Sequence, residues 1–300
     1  MPELPDIVTY LDALDRYFRD QTLERIRLVS PFLLRSVEPP LDRAHGRRVL
    51  GFRNLGKRVV WELEGDLFLV FHLMIAGRFH LKKAGAKTRR KFDLAAFDFA
   101  EHSLFLTEAG TKKRASLHLI HGASALAEQD PGGLDLFQTD LAQFRTRLQA
   151  ENRTLKRRLT DPRQFSGIGN AFSDEILHAA RLSPFKRTQQ MTDEEIARLF
   201  DICRSLLQRW TERLKTQVGK GFPEKVTAFR EDFAVHGRYG QPCPDCGKPV
   251  QRIVHAENES NYCAACQTGG RMLSDRALAR LLQEDWPRTL DEWEGRMAGK

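Results

Sequence analysis

The amino-terminal stretch MPELPDI holds the first residues able to do chemistry. The small ring of Pro2 permits removal of Met1, which would leave Pro2 with a terminal secondary amine. A terminal α-amino group has a pKa of about 8, so a usable fraction is unprotonated near neutrality. A secondary amine of this kind can attack an electrophilic carbon and form an iminium, covalent catalysis of the kind usually assigned to lysine. Glu3, next in the chain, can donate or accept the protons of such a step. The same heptapeptide is also a rigid helix start, with Asp6 in the first turn complementing the helix dipole. Taken alone, it favours that plainer reading.

The second group is Cys243, Cys246, Cys263 and Cys266, which spell CPDC, sixteen residues, then CAAC. Two close pairs on either side of a hairpin-length loop can set four thiolates at the corners of a tetrahedron, which suits Zn2+. Four thiolates leave no open position for catalysis, so one structural Zn2+ is expected, holding a hairpin too small to fold alone. A redox CxxC is the competing reading, and two pairs at this spacing argue against it. The fifth cysteine, Cys203, falls on a helical apolar stripe and reads as a core thiol.

Two further motifs are weaker. In DPRQFSGIGNAFSDEILHAARLSP, Gly167 and Gly169 frame a turn before a helix opened by Asn170, and such helix starts bind phosphate oxygens. Lys57, in RNLGKRVVWEL, sits at a strand mouth from which it can reach a phosphate or a pocket. A generic glycine turn and a solvated lysine are the plain alternatives.

The elements that must position these residues follow from periodicity. Residues 6–20 carry helical apolar spacing. From about 22 to 120, short apolar runs separated by turn residues read as a β-sandwich or barrel of about eight strands. Residues 121–136 read as a linker. Residues 137–219 return to helical stripes, 220–242 to a loop and a short strand, and a last helix is expected over 274–284, from Ser274 to just before Pro287.

The chain has 300 residues, a net charge of +8 and a pI near 9.4, which favours a polyanionic partner. No apolar run reaches the roughly 18 residues of a membrane span, and no signal peptide is evident. An intracellular, cytoplasmic protein is expected, associated with the nucleoid if bacterial.

Together these motifs identify a resemblance. PELPD, LGKRVVWEL, FHLMIAG, SGIGNAFSDEIL, VHGRYGQPC and the CPDC/CAAC finger are similar, in order and interval over residues 1 to about 268, to the formamidopyrimidine-DNA glycosylase / endonuclease VIII family. The resemblance implies an α+β multidomain fold: an N-terminal helix on a β-sandwich (1–120), a linker (121–136), a helix-two-turns-helix domain (137–235), a zinc-finger β-hairpin (236–268) and a helical tail (269–300). It implies a monomer that binds damaged DNA in a basic cleft between domains. Pro2 would be the nucleophile on C1′, Glu3 the proton-transfer group, and Lys57 a phosphate contact beside the lesion. Asn170 would hold the phosphate flanking a flipped nucleotide. Strand cleavage by β- and δ-elimination would follow base loss.

The chain departs from the family at three places. The finger-tip arginine, five residues before the third cysteine, is Asn258. The intercalation loop reads Thr111–Ser116, with Ala115 where the guanine-type branch wedges a phenylalanine; Lys113 and Arg114 are its DNA-binding candidates. Ile75, where that branch has a void-filling methionine, belongs to this second departure as a side chain able to fill part of the gap. The loop that caps an oxidised purine is not recognisable in 218–232. The expected function is therefore a bifunctional DNA glycosylase and abasic-site lyase whose lesion differs from oxidised guanine opposite cytosine. A damaged-DNA or abasic-site binding protein lacking excision is the alternative.

Overall fold

The computed structural model describes residues 1–89, 91–227, 229–255, 258–274, 280, 281, 283 and 286–298. The chain divides into two compact units. One is Met1–Gly133 with Leu207–Ala228, and the other is Leu134–Leu206 with Phe229–Lys300. Residues 207–228, within the stretch 137–235 that the resemblance gives to the helix-two-turns-helix domain, group with the amino-terminal part.

In the first unit, helix α1 (Leu4–Phe18) turns one face inward, with Ile7, Tyr10, Leu14 and Phe18 each at most 1% exposed. Among the described residues nine strands follow: β1 (Thr22–Leu23), β2 (Arg25–Leu28), β3 (Arg47–Leu55), β4 (Arg58–Leu63), β5 (Leu67–His72), β6 (Gly77–Lys83), β7 (Asp93–Asp98), β8 (His102–Glu108) and β9 (Ser116–His121). They form one sheet ordered β1-β3-β4-β5-β9 and another ordered β2-β7-β8-β6. Their inner faces and α1 share one aromatic core around Trp61, Phe71, Phe79 and Phe97.

Strand β5, LFLVFH, is apolar on both faces rather than alternating. Leu67, Leu69 and Phe71 enter the main core, whereas Phe68 and Val70 pack with Val60, Ile120 and Leu126. Leu126 lies on helix α2 (Ala123–Ala127), within the stretch read as linker. That stretch is therefore partly helical, because the outer face of β5 needs a cover.

The chain from Lys215 to Val226 is tied to the same unit. Lys215 pairs with Asp12 at 3.1 Å, and Arg16 donates to the carbonyls of Gly219 and Gly221 at 3.0 and 3.2 Å. Glu224 accepts from the Leu81 N–H at 3.1 Å and meets His80 Nδ1 at 2.6 Å. The stretch where no lesion-capping loop was recognisable is, up to Val226, a strap along α1 and β6.

The second unit contains α3 (Leu141–Gln149), α4 (Leu155–Thr160), α5 (Asn170–Ala179) and the first half of α6 (Asp193–Val218), as the helical stripes require. Cys203 is fully buried on α6, and burial pushes its thiol pKa far up, so it is an inert core group. The hairpin β10 (Val250–His255) and β11 (Asn258–Cys263) follows, then the short helix α7 (Ala264–Thr268) and, at the end, α8 (Leu290–Ala298). The helix expected over 274–284 lies largely outside the described residues.

The short strand expected before the cysteines does not form; among the described residues, 227–249 hold only an isolated bridge between Pro242 and Pro249. The reason is local. The N–H groups of Ala234, Val235 and His236 donate to the buried Glu175 carboxylate at 2.7, 2.9 and 2.9 Å. A side chain on α5 takes the bonds that a sheet neighbour would have taken.

Candidate active site and nucleic-acid interface

The start of α1 is built by a capping box. The Glu3 N–H donates to the Asp6 carboxylate at 3.0 Å, and the Glu3 side chain receives the Asp6 N–H in return. Pro2 is buried, and Glu3 is 2% exposed. Burial lowers the pKa of the amino terminus at Met1, one residue before Pro2. Arg78 and Lys57 lower it further, against Glu3 and Asp6. The pocket around the terminus therefore favours a neutral amine and mixes carboxylates with cations.

Lys57 reaches this pocket from the two-residue connection between β3 and β4, in which Leu55 pairs with Arg58. Gly56 adopts φ +61°, the left-handed conformation such a tight hairpin requires and glycine supplies without strain. Burial lowers the Lys57 pKa, and the Glu3 charge opposes the shift. The structure thus brings Pro2, Glu3 and Lys57 together within the first unit.

Two neighbours escaped the sequence reading. His72, the last residue of β5, pairs across the strands with Arg58. Burial first, then Arg58, Lys57 and His118, depress its pKa to about 4, so it is neutral at pH 7. It lies inside FHLMIAG, but only the fold shows that it faces cations. Arg78 donates to the Val226 carbonyl at 2.6 Å and to the Ile75 carbonyl at 3.1 Å. No local signal announces a contact across 148 positions. A cavity of about 520 Å3 in the same unit is lined by Ser36, Arg43, His118 and Gln129 but by none of Pro2, Glu3 and Lys57. The site is defined by its chemistry, not by that cavity.

The loop after β8 differs from expectation. Ala115 is 3% exposed and belongs to the sandwich core, so its position offers no wedge, whatever its size. Lys113 and Arg114 are exposed. The loop is shaped by Glu108, 1% exposed, whose carboxylate accepts the Arg114 N–H at 2.9 Å and the Ala115 N–H at 3.2 Å. Its carbonyl receives Lys113 Nζ. Ile75 is 55% exposed, beside Met74 at φ +51° in the turn between β5 and β6.

In the second unit, Gly167 takes φ +82° in the turn before α5, and Asn170 opens the helix. Asn170 Nδ2 donates to the Glu259 carbonyl at 2.9 Å, which ties the helix start to β11. Lys156 Nζ lies 2.6 Å from both the Asn170 carbonyl and the buried Asp174 carboxylate. Asp174 also holds His236 Nδ1 at 2.8 Å. Asn258 begins β11, its backbone paired with His255; its side chain lies outside the described set.

The four finger cysteines place their sulfurs within 4.8 Å of one another. Zn–S bonds of about 2.3 Å require S···S edges near 3.8 Å in a tetrahedron. The Cys243–Cys266 and Cys246–Cys263 separations of 3.9 and 3.4 Å fit that figure. His178 Nε2 lies 3.2 Å from Cys243 Sγ, placed as an outer-shell donor to a thiolate. The donor set suits one structural zinc.

Sequence models agree with these parts. The formamidopyrimidine-DNA glycosylase N-terminal domain matches residues 1–168, its helix-two-turns-helix domain 133–220, and the zinc finger found in this family and in isoleucyl-tRNA synthetases 240–269. A formamidopyrimidine-DNA glycosylase of Thermus thermophilus is 33% identical over 282 residues, covering 90% of this chain and all of the relative. The chain belongs to the formamidopyrimidine-DNA glycosylase family. The family's enzyme from Heliobacterium modesticaldum is 30% identical over 89% of this chain and all of the relative. Among solved structures, the Lactococcus lactis enzyme bound to DNA containing an abasic site superposes with a TM-score of 0.77 at 24% identity, over 89% of this chain and 99% of that one. That likeness concerns the fold. No described helix is long and apolar enough to cross a membrane.

Proposed function

We propose that this DNA glycosylase of base-excision repair uses Pro2 as its nucleophile and is also an abasic-site lyase. The observation that carries the reading is the gathering of Pro2, Glu3 and Lys57 in a buried pocket that lowers the pKa of a terminal amine. With Met1 removed, the Pro2 nitrogen attacks C1′ of the damaged nucleotide. The N-glycosidic bond breaks and the base leaves with its electron pair and gains a proton. Cleavage of the C1′–O4′ bond, with O4′ protonated by Glu3, gives the iminium. Loss of a C2′ proton then drives electrons into a C2′=C3′ bond and expels the 3′-phosphate group. Water hydrolyses the iminium and returns Pro2.

Lys57 serves a phosphate next to the lesion, and Asn170 the flanking phosphate, beside the zinc hairpin. Lys113, Arg114, Ile75 and Asn258 are the remaining DNA-binding candidates. With Ala115 in the core, nothing at that position pushes a base from the stack. Lesions already unpaired, whose extrusion costs least, are favoured. Location with the DNA in the cytoplasm accords with this substrate.

The test is a nicking assay on duplex and single-stranded DNA carrying oxidised purines, oxidised pyrimidines, hydantoins or an abasic site, with product ends resolved by gel. Base release plus a β- or β,δ-elimination end supports the reading. Base release with uncut strands would remove the lyase step.

A further inference from the structure

One face of the zinc hairpin carries a charge cluster that the proposed mechanism leaves unused. Arg252 and Asn261 are paired across β10 and β11, and Val254 is paired with Glu259, so all four side chains share one face. The Arg252 guanidinium lies over the Tyr239 ring, 4.4 Å from its centroid. Its Nη1 stands 3.8 Å from the Glu259 carboxylate, an ion pair beyond hydrogen-bond distance. Asn261, only 1% exposed, donates its Nδ2 to the same carboxylate at 3.1 Å, and its Oδ1 has no hydrogen-bond partner among the described residues. The Glu259 carbonyl holds Asn170 at the start of α5. The cluster is thus one residue away from the proposed phosphate contact.

We propose that Arg252 is a DNA-phosphate-binding residue of the hairpin and that Glu259 competes with phosphate for it. Tyr239 fixes the guanidinium plane, which leaves a planar fork of donors oriented in advance. The Arg252 and Glu259 side chains are 44% and 30% exposed, so their attraction is weak and a phosphate can displace the carboxylate at small cost. Asn261 keeps the carboxylate close enough to compete. The pair therefore sets how tightly, and with what salt dependence, the hairpin grips the backbone. The placement beside DNA rests on the Asn170 reading above.

The experiment measures the affinity of the zinc-loaded full chain for an abasic-analogue duplex by fluorescence anisotropy at several salt concentrations. The proteins are the parent, Glu259→Gln, Arg252→Ala, the double variant, and Asn170→Ala. Glu259→Gln should tighten binding about threefold to fivefold, the worth of one exposed charge pair. It should also steepen the salt dependence by up to about 0.9, the ceiling set by one phosphate contact that the carboxylate no longer contests. Arg252→Ala should weaken binding, and the double variant should lose the Glu259→Gln gain. Unchanged or weaker binding by Glu259→Gln overturns the proposal. So does a gain that survives in the double variant, since the carboxylate would then repel phosphate without Arg252. Loss of affinity in Asn170→Ala reports separately on the Asn170 reading, so the failure of one is not mistaken for the failure of the other.

Discussion

Replacing Glu108 with alanine should loosen the loop that carries Lys113 and Arg114 and destabilise the first unit. The Glu108 carboxylate is 1% exposed and serves two backbone donors. The Arg114 N–H reaches both of its oxygens, at 2.9 and 3.1 Å, and the Ala115 N–H reaches one at 3.2 Å. A buried donor left without a partner costs about 1–3 kcal/mol. The Ala115 N–H lies in the core and pays about 2 kcal/mol, while the Arg114 N–H is near solvent, recovers part of its bond from water and pays about 1 kcal/mol. The sum is about 3 kcal/mol. At about 2–4 °C per kcal/mol for a unit of this size, the melting temperature falls by about 6–12 °C. Glu108→Gln keeps the shape and one acceptor, so it should lose about half as much. Calorimetry of the three proteins gives the stabilities, and anisotropy with abasic-analogue DNA gives the accompanying loss of affinity. A Glu108→Ala protein melting within about 1 °C of the parent would refute the assignment of the loop to this carboxylate.

Three other outcomes follow from the geometry. His72, with its pKa depressed from 6.5 to about 4, binds its proton more readily in the unfolded chain. Its contribution is complete above about pH 6.5 and is lost as pH falls towards 4, of order 2–3 kcal/mol. His72→Gln should flatten the pH dependence of the melting temperature in that window, and an unchanged slope counts against it. Stripping zinc with a chelator should abolish amide-exchange protection in β10 and β11 and leave the β-sandwich protected, as measured by hydrogen exchange; a hairpin that stays protected would contradict a structural metal. On α8, Trp293 packs against the cluster of Ile253, Tyr262 and Leu290. Trp293→Ala should destabilise the second unit by about 2 kcal/mol, below the usual cost for a fully buried tryptophan because the ring is only partly buried, as read by denaturant unfolding.

Where local pattern decides structure, the sequence was readable. The apolar stripe of α1, the helical text of 141–218 and the paired cysteines each report on neighbours a few residues away. The place of Lys57 at a strand mouth was readable for the same reason. The core position of Ala115 was not, because it depends on closure of the sandwich. The strap from Lys215 to Val226 was hidden because its partners, Asp12, Arg16 and Arg78, lie more than 140 positions earlier. The missing strand near residue 234 shows the converse. Its apolar residues suggested a sheet, but a carboxylate on α5 holds its backbone. Of the site, Pro2, Glu3 and Lys57 were named from motif and resemblance. His72, Arg78 and Glu108 gain their roles only from the folded surroundings.

The central claim is that Pro2 is the nucleophile. Its most direct test is borohydride trapping on DNA with an abasic site, because borohydride reduces an iminium to a stable amine. Protein with Met1 removed should yield a covalent protein–DNA adduct mapping to Pro2. Pro2→Gly, or a protein with a retained amino-terminal tag, should yield little or none while still binding the DNA. An adduct that forms equally well with the terminus blocked, or none from the processed protein while binding persists, would contradict the account.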